Sequence, residues 1–134
     1  WISGLEPKQV QAFISQEGTL VDVNTALTVE FTNGAVGTMS YTSLAPEWRE
    51  EFRFYGDQGV IGIGQDEPLY LCQHGKDRVL PLPAGNGQQP ASNFLGAIKG
   101  EVEVQAPPIC GLRVAQLTEA AYASAVSGEP EQVG

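Results

Sequence analysis

The side chains of this sequence that could do chemistry are few. The first group lies in the run Leu44-Ala-Pro-Glu-Trp-Arg-Glu50. Trp48 offers a flat apolar ring on which the apolar face of a ligand could stack, and Arg49 or Glu50 could hydrogen-bond its polar edge. Tyr41 leads into this run. We therefore take Trp48, Arg49 and Tyr41 as candidate substrate-binding residues. The competing reading is a partly covered surface loop with Trp48 as a hydrophobic lid, because loops carrying one aromatic residue are common. For Tyr41 the competitor is cross-strand packing or a subunit contact. His74 could act as a base, but a base needs an oriented partner. No carboxylate can be placed beside it, and a solvated turn residue is the expectation. Cys72 and Cys110 lack the spacing of metal ligands and are expected as buried free thiols rather than a disulfide. Asp66-Glu67 is read as a loop, since a metal site needs more oxygen ligands nearby. Tyr122 is read as a core residue, and Asp22 and Asn24 as solvated edge positions. Gln88 and Gln89 could reach a pocket from a flexible loop. The sequence offers no candidate catalytic, cofactor-binding or metal residue.

These residues need a frame, and the strongest local signal is a hairpin from about Leu20 to Leu44 around Asn33-Gly34. Val21, Val23, Leu27, Val29 and Phe31 alternate with polar residues, the period of a half-buried strand. Asn-Gly favours a two-residue type I′ turn. That loop pairs Phe31 with Val36, Val29 with Thr38, Leu27 with Ser40 and Val23 with Leu44. The opposite face then carries Thr28, Met39 and Tyr41, free for water, a partner or a ligand. Further strands are expected at 10–15, 51–55, 60–63, 69–73 and 78–82, separated by Gly-containing turns. A short helix should be capped by Ser92, bury Phe94, Leu95, Ala97 and Ile98, and stop at Gly100. A longer one should run from Gly111 to Ser127, with Val114, Leu117, Ala121 and Ala125 inward and Gly128 as its stop. Strands followed by helices give an α+β class. The expected architecture is an open, mainly antiparallel twisted sheet of six to eight strands with two helices on one face.

The 134 residues carry a formal net charge of −9. An acidic chain of this kind argues against nucleic acid or an anionic membrane as partner, since both call for a basic face. No apolar run approaches the about 20 residues of a membrane span. The absence of a signal peptide and the two cysteines place the chain, as an expectation, in the cytoplasm. Trp1-Ile-Ser-Gly4 reads like the last turn of a helix, so a longer parent protein is expected.

Several segments in order resemble the C-terminal domain of the glucose–fructose oxidoreductase / inositol dehydrogenase / MocA family. They are Val29-Glu-Phe-Thr-Asn-Gly-Ala-Val-Gly37, Phe52-Arg-Phe-Tyr-Gly-Asp-Gln-Gly-Val60, Asn93-Phe-Leu-Gly-Ala-Ile-Lys-Gly100 and the helix from Gly111 to Ala125 followed by Ser-Gly-Glu-Pro130. The resemblance covers nearly the whole chain. It implies that residues 1–134 are a single substrate-side and oligomerisation domain, inactive alone, whose N-terminal Rossmann partner binds NAD or NADP. It also implies a homo-oligomer through the sheet face and a sugar, polyol or related carbinol as substrate. The family's Gly-rich dinucleotide loop and its Glu-Lys-Pro motif are absent here. His74-Gly-Lys-Asp77 matches the family's His-x-x-Asp only as a string, in a turn rather than a helix. The alternative is a non-catalytic protein-interaction or small-ligand-binding module.

Overall fold

The computed structural model describes residues 2–65, 69–76, 79–83, 87 and 89–134. The elements are β1 (Pro7–Ser15), β2 (Asn24–Phe31), β3 (Val36–Thr42), β4 (Glu51–Gly56), β5 (Gly59–Gly64), β6 (Tyr70–Gln73), β7 (Val79–Pro81), α1 (Pro90–Ile98), α2 (Pro108–Ser127) and β8 (Glu131–Gln132). The class is α+β, with open antiparallel strands as expected. The strands divide into two four-stranded sheets, ordered β3-β2-β1-β8 and β4-β5-β6-β7. The chain forms two compact units, Trp1–Ala45 with Glu103–Gly134, and Pro46–Val102.

In the first unit the central hairpin stands, but its register differs from the expected one. Phe31 N–H donates to the Ala35 carbonyl, and Gly34 N–H to the Phe31 carbonyl. The loop is therefore three residues, Thr32 to Gly34, with Gly34 at φ 86°. A three-residue loop closed by a left-handed glycine is the next commonest hairpin solution. Asn33 Oδ1 accepts the Ala35 N–H at 3.1 Å and helps hold it. One extra loop residue flips the faces of β3 relative to β2. Val29 now pairs with Gly37, Leu27 with Met39 and Thr25 with Tyr41. Met39 and Tyr41 thus leave the face of Thr28 and join that of Leu27 and Val29.

That face is the one α2 covers, over β1. Val10, Ala12, Val29, Ala120 and Ala121 form the buried core, with Leu27, Phe31, Leu117 and Val133 packed against it. The inward side of α2 is Leu117, Ala120, Ala121 and Ser124, whereas Val114 is 65% exposed. The inward side thus keeps Leu117 and Ala121 of the expected stripe and adds Ala120 and Ser124, while Val114 faces outward. Tyr122 is accordingly not a core residue. Ser124 is fully buried, and its Oγ accepts the Ala12 N–H at 3.0 Å. The β8 strand pairs only with Gln9 and Val10. Ala12 lies beyond its end, and the serine supplies the acceptor that the strand does not. The helix begins at Pro108, three residues before the expected Gly111, because proline suits the first helical position. Gly128, at φ 77°, ends it by donating to the Ser124 carbonyl at 2.8 Å. The helix end expected at Trp1-Ile-Ser-Gly4 falls partly on Trp1, outside the described residues.

In the second unit, β4 and β5 are joined by a two-residue turn, Asp57-Gln58, and β6 and β7 extend the sheet in antiparallel pairing. Phe52 pairs with Ile63, and Phe54 with Ile61. Ile61 continues to Leu71, and Leu71 to Leu80. One face is thus a block of apolar side chains. The other carries Arg53, Gly62 and Tyr70 side by side. A Cβ on Gly62 would lie 2.3 Å from the Tyr70 ring, so the glycine lets that ring lie over the strand. Helix α1 departs from expectation. Pro90 rather than a Ser92 cap opens it, and Gln89 is the N-cap. Its inward residues are Asn93, Gly96 and Ala97, while Phe94, Leu95 and Ile98 are more than half exposed. Gly96 sits against Val102, where a Cβ would come within 2.9 Å. Close approach selected the small side of the helix, not the greasy one. The expected strand start at Arg78, the Asp66-Glu67 loop, Asp77 and Gln88 lie outside the described residues.

Candidate functional site

The second unit holds an open cleft of about 310 Å³, lined by Trp48, Glu50, Phe52, Ile63, Gly64 and Gln65. Its floor follows from the β4–β5 register, which sets Phe52 directly opposite Ile63. The Gln65 N–H donates to the Glu50 carbonyl at 3.2 Å. This bond extends the ladder one step past the strand ends and fixes Glu50 and Gln65 across from each other. Trp48 comes from the irregular segment just before β4 and is 75% exposed. The arrangement is an aromatic plate, an apolar floor, one carboxylate and one carboxamide. A carboxylate accepts hydrogen bonds, and an amide both donates and accepts. Together they suit a ligand with an apolar surface edged by hydroxyls.

Of the residues singled out in the sequence, Trp48 and Glu50 line this cleft. Arg49 is exposed and is not one of the lining residues. Tyr41 lies on β3 in the other unit, 46% exposed on the face shared with Leu27. Phe52, Ile63 and Gln65, which also line the cleft, are not among the sequence candidates. Only the strand register brings them to Trp48, and the period-two pattern of Phe52 and Ile63 was the signal available. Arg53, next to Phe52, belongs to the opposite side of β4 and ion-pairs with Glu51. The Glu51 charge raises its pKa further above its ordinary value.

His74 is an exposed turn residue whose Nε2 lies 3.2 Å from the Gly56 carbonyl oxygen. Cys72 and Cys110 are free thiols, half-buried rather than buried. Among the described residues no group of three metal-ligating side chains occurs. No described helix is long and apolar enough to cross a membrane.

The first unit contains a polar pair that the sequence does not disclose. Tyr122 Oη donates to Asp22 Oδ1 at 2.8 Å, joining residues 100 positions apart. The phenol's hydrogen bond holds the Asp22 carboxyl below its usual range, assisted by a backbone bond and by Thr25. The same bond raises the Tyr122 phenol above its own. Both groups lie at the surface. The pair ties the segment before β2 to α2.

Residues 1–62 match the family model described as the GFO/IDH/MocA C-terminal domain. No curated protein matches the chain significantly. Solved structures match over nearly its whole length. A protein of Thermotoga maritima described as an oxidoreductase superposes with a TM-score of 0.85 at 21% identity, covering 99% of this chain and 42% of that one. A levoglucosan dehydrogenase in complex with NADH and L-sorbose gives 0.78 at 21%, covering 96% and 45%. The WlbA dehydrogenase from Bordetella pertussis, in complex with NADH and UDP-GlcNAcA, gives 0.71 at 16%, covering 96% and 39%. The chain thus spans less than half the length of the structures it resembles. Residues 1–62 are thus similar to the GFO/IDH/MocA C-terminal domain, and the chain along nearly its whole length shares the fold of the corresponding part of these solved oxidoreductase structures.

Proposed function

We propose that this chain is the substrate-side part of an NAD(P)-dependent oxidoreductase acting on a sugar, polyol or related carbinol. The observation that carries the reading is the fold likeness, which covers nearly all of this chain and less than half of each dehydrogenase. In such an enzyme a separate dinucleotide domain would hold the coenzyme in a cytoplasmic setting, and the Trp48 cleft would form one wall for the substrate. Two of the relatives were solved with NADH and a sugar or sugar nucleotide, in keeping with that assignment.

Two experiments test it. The gene region upstream of the codon for Trp1 should encode a G-x-G-x-x-G turn between a strand and a helix. The 134-residue chain, titrated with NADH or NADPH, should leave the cofactor fluorescence unchanged. Tight cofactor binding by the chain alone would contradict the reading.

The uncovered face of the first sheet is the proposed contact with a second copy. The corrected register gives it Gln11, Phe13, Ala26, Thr28, Thr38 and Ser40, in place of Met39 and Tyr41. Phe13 is 71% exposed and flanked across the strands by Ala26 and Ser40. A flat surface with one aromatic among small side chains suits self-association. Sedimentation should show a dimer, and Phe13→Glu should shift it to monomer. A monomer at high concentration in the unaltered chain removes this part of the proposal.

A further inference from the structure

We propose that the Trp48 cleft accepts an uncharged sugar ring and rejects anionic sugars, a preference that deepens the substrate-wall reading and rests on it. Charge and shape carry this. Among the described residues the cleft's ionisable lining group is Glu50, and no described lysine, arginine or histidine lines it. The cation of the adjoining strand, Arg53, belongs to the far side of β4 and is held by Glu51. A uronate or sugar phosphate would bring its charge beside the Glu50 carboxylate, and none of the described lining residues offers it a positive charge. Like charges a few ångströms apart repel even at high effective dielectric. A neutral ring meets no such barrier. Its C–H face stacks on the Trp48 indole, whose face carries the negative end of the ring quadrupole. Its vicinal hydroxyls donate to Glu50 and exchange hydrogen bonds with the Gln65 amide. Phe52 and Ile63 supply the apolar floor beneath.

The test is NMR titration of the 134-residue chain at about 0.15 M salt, where long-range repulsion from the acidic surface is screened beyond about 8 Å. The readout is the Trp48 indole N–H signal, identified by its loss in Trp48→Phe. Trp48 is mostly exposed, so this change leaves the fold intact. The probes are methyl β-D-glucopyranoside and D-glucuronate, which share a ring and differ in charge. The glucoside should shift the signal saturably, and the glucuronate should bind at least about tenfold more weakly. Glu50→Gln should narrow that gap to about threefold or less. Glucuronate binding as well as or better than the glucoside overturns the charge preference and leaves the substrate wall standing. A gap unchanged in Glu50→Gln overturns the assignment of the preference to Glu50. No response of Trp48 to either probe overturns both the preference and the wall.

Discussion

The two units of this chain bury apolar surface in opposite ways. The first closes a small core, with Val10 completely buried and Ala12, Val29, Ala120 and Ala121 nearly so. The second, among its described residues, buries only Gly62 and Asn93. Its apolar face stays open: Phe52 is 49% exposed, Phe54 37%, Ile61 40% and Ile63 44%. In the first unit side chains hold the sheet to a helix. In the second, strand pairing and glycine-permitted close approaches carry more of the local order, and the apolar side chains remain available for contact. The candidate cleft lies in the unit that left its aromatics uncovered, as expected where ligands bind to apolar surface edged by a few polar groups.

This contrast predicts where each substitution is felt. Gly59 opens β5, and a Cβ there would lie 2.3 Å from the Cys72 carbonyl oxygen and 3.0 Å from the Gln73 Cα. Backbone cannot yield as a side chain can. Gly59→Ala should cost about 3 kcal/mol, the upper end for overpacking. Hydrogen exchange should quicken along β5 and β6 and stay unchanged along β1. Val10→Ala should do the reverse. It removes two methyl groups from a fully enclosed site and should cost about 2 kcal/mol, transfer and cavity together. Its exchange signature should appear in β1, β2 and α2 and not in β5. Substitutions that quicken exchange equally in both units would break the comparison. Phe52→Ala sharpens it from the other side. The half-exposed ring should contribute less than about 1 kcal/mol to stability, yet its loss should abolish the response of Trp48 to the glucoside.

Much of this architecture is written locally in the sequence. Alternation and turn glycines placed the strands of both units, because strand period and turn chemistry act over a few residues. The register of the central hairpin was not legible. Asn33-Gly34 is compatible with a two- or a three-residue loop, and the choice of the latter moved Met39 and Tyr41 to the other face. The inward side of α1 is not legible for a related reason. Apolarity alone points Phe94, Leu95 and Ile98 inward, whereas the close contact of Gly96 with Val102 goes with an inward Asn93. In the cleft, Trp48 and Glu50 could be picked from one loop by residue type. Phe52, Ile63 and Gln65 join them only through strand pairing. The Asp22–Tyr122 bond joins distant segments, and no local pattern foreshadows it.

That bond gives the smallest predicted effect and a distinct signature. The folded-state pKa of Asp22 is lowered, so its contribution to stability is present above the unfolded value of about 3.9 and is lost as pH falls through the folded one. The folded-state pKa of Tyr122 is raised, so its contribution is present below about 10 and is lost as pH rises through its folded value. Tyr122→Phe keeps the ring and deletes the hydroxyl that bonds Asp22. The melting temperature of the variant should therefore fall slightly below that of the parent between about pH 5 and 9, and converge with it toward both extremes. Because the groups are at the surface, salt should also narrow the difference. The deficit belongs to the unit with the closed core, so exchange in β5 and β6 should not register it. A difference that persists undiminished in strong acid would show that the hydroxyl acts independently of the ionised Asp22 carboxylate, and the charge-assisted bond would then not be what ties the segment before β2 to α2.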